Sequence, residues 1–164
     1  MLENHKKLHF VGKSGMFIGE YRHNLDSKSR IVIPGKFRDE LHSTFILAKG
    51  LDGCLTIYSL EQWEKLFEEV NKLPTTKKAA RQYIRMLTST ASECTPDSQG
   101  RIQIPGFLAK PIDISSDKNK ECVIIGANDH IEIWNARTWD SYFDEASDNF
   151  EEVAENLSDL MNNG

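Results

Sequence analysis

Apolar and polar positions along the chain come in short alternating bursts separated by turn chemistry, and one order of bursts occurs twice. Phe17 to Asn24 alternates with period two and predicts a strand, Asp26 to Ser29 its turn, and Arg30 to Ile33 the return strand. Pro34 cannot donate to a ladder, so the Pro34-Gly35 pair ends that strand before a short helix near Lys36 to Leu41. Thr44 to Lys49 and Cys54 to Tyr58 predict a hairpin around Gly50-Leu51-Asp52-Gly53. Ser59 then caps a helix, with Gln62 completing a capping box and Leu60, Trp63, Phe67 and Val70 forming its apolar stripe up to Pro74.

A linking helix is expected from Thr76 to about Leu87, with Lys77, Arg81 and Arg85 on one face. The charges of that face read as solvated or as a contact for phosphate or a neighbour's acidic helix. The first pattern then returns as a strand near Ala91 to Thr95, a turn, a strand, a short helix and a hairpin from Cys122 to Trp134. A long helix starting near Ala136 follows. Its apolar positions Trp139, Phe143, Ala146, Phe150, Val153, Leu157 and Leu160 make a heptad seam, which packs on the chain's own barrel or, in its distal half, on a neighbouring subunit.

The repetition extends to residue identity. Asp26-Ser27-Lys28-Ser29-Arg30-Ile31-Val32-Ile33-Pro34-Gly35 and Asp97-Ser98-Gln99-Gly100-Arg101-Ile102-Gln103-Ile104-Pro105-Gly106 agree at all but three of ten positions. Leu55 to Trp63 matches Ile131 to Trp139 in the same way. The offset grows from 71 to 76 residues between these stretches, which places an insertion at polar Ser115 to Lys120 in the second copy. Two copies are too few for a solenoid, so they pack about a pseudo-twofold axis. The layout is α+β: two β-β-α-β-β-α units joined by a helix around a compact sheet or barrel, with peripheral helices.

Composition narrows the function less than its distribution does. No apolar run reaches membrane-spanning length and no signal peptide is visible, so no membrane partner is expected. Cys54, Cys94 and Cys122 are isolated and odd in number, which predicts core residues in a reducing cytoplasm. Met1 to Gly15 lack periodicity and read as a leader or disordered extension. Gly12-Lys13-Ser14 within them carries no phosphate-loop signal. The net charge of −5 opposes a nucleic-acid partner until it is divided. Eight acids and no Lys or Arg lie from Trp139 onward; without that segment the remainder is +3, or about +1 without the leader.

Asp26 and Asp97 are placed to accept backbone N–H groups two residues on and to buttress their turns. Gly100 permits positive φ; Ser29 does so at a cost, with a possible change in tip shape. Arg30 and Arg101 can each be held by their Asp with donors left outward for phosphate or the O6/N7 edge of guanine, and Lys28 and Gln99 extend the tips. The bland alternative is that both Asp–Arg pairs only hold their hairpins. An aspartic dyad is disfavoured, because an Arg four residues after each Asp stabilises two ionised carboxylates rather than a shared proton. His5, His9, His23, His42 and His130 show no ligand spacing. No catalytic group, metal or cofactor is expected.

Met16-Phe17-x-Gly19-Glu20-Tyr21, the two Asp-Ser-x-x-Arg-Ile-x-Ile-Pro stretches, Arg81-x-x-x-Arg85 and Ala91-x-Glu93 closely resemble the bacterial MraZ family from Met16 to about Phe143. The resemblance implies two swapped-hairpin units of the SpoVT-AbrB type: 16–73 and 89–146, joined by a helix over 74–88, with an acidic helical extension over 147–164. It implies a cytoplasmic, nucleoid-associated DNA-binding regulator of the division and cell-wall gene cluster. Such a protein acts on direct repeats upstream of its own operon, usually as a repressor, and assembles as an octameric or larger ring. DNA contacts then fall on Lys28, Arg30 and Arg101, with Gln99 at the second tip. By similarity to single-unit relatives Arg38 joins them, while the second copy has only Ala109 and Lys110. The alternative is a ring scaffold in which the same motifs are structural.

Overall fold

The computed structural model describes residues 16–163. The proposed leader lies outside the described residues. Eight strands are present: β1 Glu20–Asn24, β2 Arg30–Val32, β3 Phe45–Lys49, β4 Leu55–Ser59, β5 Ser92–Cys94, β6 Arg101–Gln103, β7 Glu121–Gly126 and β8 Ile131–Asn135. The helices are α1 Gly35–Leu41, α2 Leu60–Val70, α3 Lys78–Thr90, α4 Gly106–Ala109, α5 Ala136–Asp148 and α6 Phe150–Asn163, with a 3₁₀ turn at Lys110–Ile112.

Six strands form one antiparallel sheet in the order β1-β7-β8-β4-β3-β5, and β2 and β6 form a separate two-stranded ribbon. Exchanging each strand with its counterpart in the other repeat reverses the six-strand order and returns it unchanged. That is the signature of a pseudo-twofold axis. The copies are interlocked, because β1 of the first pairs with β7 of the second while β5 of the second pairs with β3 of the first. Neither copy can close its own sheet. The axis passes between Ile31 and Ile102, which face each other at the centre of the ribbon.

The main core lies between the ribbon, the short helices that follow its strands and one face of the sheet. Ile31, Ile33, Ile102 and Ile104 come from the ribbon segments, Phe37, Leu41 and Leu108 from α1 and α4, and Phe45, Leu47, Leu55, Ile57, Ile124, Ile131 and Ile133 from the sheet. These sheet positions are two apart on each strand, as burial of one face requires. On the opposite face, Ala48 packs with Val70 and Leu87 beneath α2 and α3. Cys54, Val123 and Trp134 pack with Ala136 and Trp139 of α5.

Local chemistry sets the helix starts. Ser59 Oγ accepts the Gln62 N–H at 3.1 Å, and Asn135 Oδ1 accepts the Arg137 N–H at 3.0 Å at the equivalent place in the second repeat. Asn135 is buried, and its amide also donates to the Asp113 carbonyl at 2.8 Å. The proposed insertion forms a tight turn in which Ser115 Oγ accepts the N–H groups of Lys118 and Asn119.

Three expectations require correction. Leu60 is 44% exposed and does not join the α2 stripe, which is formed by Trp63, Leu66, Phe67 and Val70. The final helix is divided at Asn149, whose φ of −110° and ψ of 14° leave the helical region. Asp148-Asn149 is a pair of weak helix formers that compete for backbone hydrogen bonds, and the Asn149 amide donates to the Glu145 carbonyl. The seam therefore does not pack along the chain's own barrel. Trp139 is half-buried there, but Phe150 and Leu160 are 68% and 69% exposed and α6 buries no residue. No helix among the described residues is long and apolar enough to cross a membrane.

Candidate nucleic-acid interface

The ribbon and its two turns carry the repeated motif. Asp26 Oδ1 accepts the N–H groups of Lys28 and Arg30, both at 2.9 Å, and its Oδ2 accepts Arg30 Nε at 2.7 Å. Asp97 makes the same set with Gln99 N–H, Arg101 N–H and Arg101 Nε at 2.9, 2.9 and 2.8 Å. Each aspartate is thus a three-point buttress that fixes both the turn and the first half of an arginine side chain. The outer guanidinium nitrogens remain beyond the buttress.

The serine in the first turn does not change the tip. Ser29 has φ 59° and Gly100 φ 78°, and the Ser29 and Gly100 N–H groups donate to the Asp26 and Asp97 carbonyls at 3.0 and 2.9 Å. Ser29 accepts a left-handed backbone at a cost on the order of 1 kcal/mol to keep the same turn. The turns also tie the halves together: the Ile104 N–H donates to the Ser29 carbonyl and the Ile33 N–H to the Gly100 carbonyl, both at 2.9 Å.

Partial desolvation pushes the Asp26 carboxyl up, but the Arg30 N–H, the Arg30 guanidinium and the Lys28 N–H outweigh it and hold it below its ordinary range. Asp97 is held low chiefly by the Arg101 N–H, with desolvation opposing and the guanidinium assisting. Two carboxylates that both favour ionisation cannot share a proton, which removes the acid–base dyad reading.

Register places the arginines on one surface. Ile31 and Ile102 are buried, so the alternate positions Arg30, Val32, Arg101 and Gln103 face the other way, with Arg30 opposite Gln103 and Val32 opposite Arg101. The side chains of Arg30 and Arg101 are 28% and 23% exposed. Arg101 Nη1 reaches across the axis to within 3.6 Å of Asp26 Oδ2. Lys28 and Gln99 are exposed at the two turn tips.

Arg38 sits at the edge of this surface and is partly structural. Its Nε donates to the Ile33 carbonyl at 2.9 Å, and its guanidinium covers Gly100, where a Cβ would stand 2.5 Å from Cζ. Glycine occurs in the turn that Arg38 covers. The turn that has serine belongs to the repeat pair in which Ala109 replaces that arginine. Lys77, Arg81 and Arg85 are separate from the ribbon; Lys77 precedes α3, and Arg81 Nη1 donates to the Thr75 carbonyl at 3.0 Å.

Gln103 was absent from the residues expected at the site. It is exposed, lies directly across from Arg30, and donates its Nε2 to the Lys28 carbonyl at 3.3 Å. The period-two step from Arg101 through buried Ile102 was the signal that could have found it. His130 lies elsewhere, on the β7–β8 turn, between Asp129 at 2.8 Å and Glu132 at 2.9 Å and stacked on Tyr58. No group of three or more His, Cys, Asp or Glu able to hold a metal ion occurs among the described residues.

A duplicated, strand-exchanged α+β protein with paired arginines buttressed on one ribbon is the class this geometry defines. A family model described as "MraZ protein, putative antitoxin-like" matches the chain in two tandem copies, residues 16–86 and 87–161. Curated relatives named "Transcriptional regulator MraZ", from Pediococcus pentosaceus and Ligilactobacillus salivarius, are each 44% identical to it over 145 residues, 88% of this chain and 99% of the relative. The chain belongs to the MraZ family. That is a family of transcriptional regulators and not of enzymes.

Proposed function

We propose that this protein is a sequence-specific DNA-binding transcriptional regulator whose β2–β6 ribbon contacts the major groove. The observation that carries the reading is the outward ribbon face, where Arg30 and Arg101 share one surface, each anchored through Nε to an aspartate. A two-stranded ribbon fits the major groove, and a guanidinium held at one edge keeps its remaining donors for guanine or phosphate. Lys28 and Gln99 at the tips and Arg38 at the edge extend the contact toward the backbone. Buttressing removes rotamer freedom before binding, so less entropy is lost in the complex.

The target is a set of direct repeats upstream of the chain's own operon in the division and cell-wall gene cluster, and occupancy represses transcription. One ribbon makes few contacts. A homo-oligomeric ring, octameric or larger, presents several ribbons to several repeats and raises avidity by roughly 10²–10⁴. The protein then works in the cytoplasm at the nucleoid. The acidic α5–α6 arm, with eight acids and no Lys or Arg beyond Trp139, is directed away from DNA. The scaffold alternative needs the arginines buried between subunits; within the single chain both are partly exposed on a common face.

Binding to the upstream region across about 50 to 200 mM salt tests the electrostatic part. Affinity falling by orders of magnitude supports phosphate contact, and a flat response overturns it.

A further inference from the structure

The ribbon is symmetric in fold but not in chemistry. The axis between Ile31 and Ile102 exchanges Arg30 with Arg101 and Val32 with Gln103. One end of the outward face therefore presents Arg30 beside Gln103, and the other presents Arg101 beside Val32. At these four positions the arginines match and the neighbours do not.

We infer that the Gln103/Val32 pair determines the polarity of the DNA element this protein reads, with Gln103 selecting adenine at one end and Val32 a thymine methyl at the other. This rests on the ribbon being the DNA-contacting surface. Two equivalent arginines related by a twofold axis would read a palindromic step, identical in both orientations. The carboxamide of Gln103 can pair with adenine N6 and N7, which a valine cannot do, while an apolar group suits the thymine methyl. Gln103 is placed for the role: it is exposed and opposite Arg30, and its Oε1 accepts no hydrogen bond among the described residues. Its one bond, to the Lys28 carbonyl at 3.3 Å, is long and readily exchanged for a base edge. An element with polarity is also what a direct repeat consists of, since its units all point the same way. Arg38 and its Ala109 counterpart lie at the edge of this face and Lys28 and Gln99 at the tips, so they bear on backbone grip rather than on the central bases.

The test is selection from a randomised duplex library by the full chain, by Gln103→Val, and by the exchange variant Val32→Gln/Gln103→Val. Oligomer mass and salt dependence are measured alongside. The wild type should select a polar element. Gln103→Val should lose on the order of 10–100-fold discrimination at one adenine and select a nearly palindromic step, with mass and salt slope unchanged. The exchange variant should select the wild-type core with its orientation reversed relative to flanking contacts. An unchanged base profile in both variants overturns the inference while leaving the DNA-binding reading intact. Loss of specific and non-specific binding together in Gln103→Val also overturns it, because it makes the residue structural. A wild type that selects nothing overturns the reading on which the inference rests.

Discussion

Asp26 of the first turn lies within 3.6 Å of Arg101 of the second, as well as 2.7 Å from its own Arg30. One carboxylate therefore bridges two motifs that are far apart in sequence. No reciprocal approach of Asp97 to Arg30 occurs among the described ion pairs.

That asymmetry separates two otherwise equivalent substitutions. Asp26→Ala should lower both melting temperature and DNA affinity more than Asp97→Ala, because it removes the Arg30 buttress together with the contact to Arg101 Nη1, whereas Asp97→Ala removes the Arg101 buttress alone. Thermal scans and binding titrations of the two variants measure this. Equal effects would mean that the contact across the axis contributes nothing.

Gly100 and Arg38 should be coupled. Gly100→Ala places a side chain at φ 78° and displaces the guanidinium above it, at a cost on the order of 1–2 kcal/mol and about 2–8 °C in melting temperature. In an Arg38→Ala background the steric part is absent and the same change should cost less. A double-mutant cycle reads the difference, and strict additivity would show that the two residues do not interact.

The turns, hairpins and the Ser59 helix cap were legible because their chemistry is local: an Asp accepting N–H groups two residues on, a Pro ending a strand, a Ser capping a helix. The duplication was legible as identity. The pairing of β1 with β7 was not, since alternation fixes which face of a strand is buried but not its partner, and the exchanged topology came from the family resemblance. Gln103 carries no charge and lies outside the turn, so only the alternation of a three-residue strand places it on the outward face. The break at Asn149 was masked by a regular apolar seam that continues through it.

His130 should give the protein a pH-dependent stability on its alkaline side. Burial lowers its pKa, but hydrogen bonds to Glu132 and Asp129 raise it above the ordinary value overall. The protonated form is favoured by folding, so the contribution is complete below about pH 6.5 and is lost as pH rises through the higher folded value. Melting temperature should fall more steeply above neutrality in the wild type than in His130→Gln. Identical slopes would contradict the assignment.

The three cysteines should be inert while the chain is folded. Burial raises the thiols of Cys54 and Cys122 to about 12 and that of Cys94 to about 11. A thiol reagent at neutral pH should titrate none of the three rapidly in the native protein and all three in denaturant. Fast reaction of any one in the native state would show that the surrounding segment opens locally.

The central claim is that the two buttressed arginines grip DNA. The most direct measurement is a fluorescence-anisotropy titration of the chain's own upstream region with wild type, Arg30→Ala and Arg101→Ala, with mass checked by light scattering. Each substitution should weaken specific binding by at least about tenfold while oligomer mass stays the same. Wild-type affinity in either variant would make that arginine a hairpin strut, and wild-type affinity in both would contradict the account.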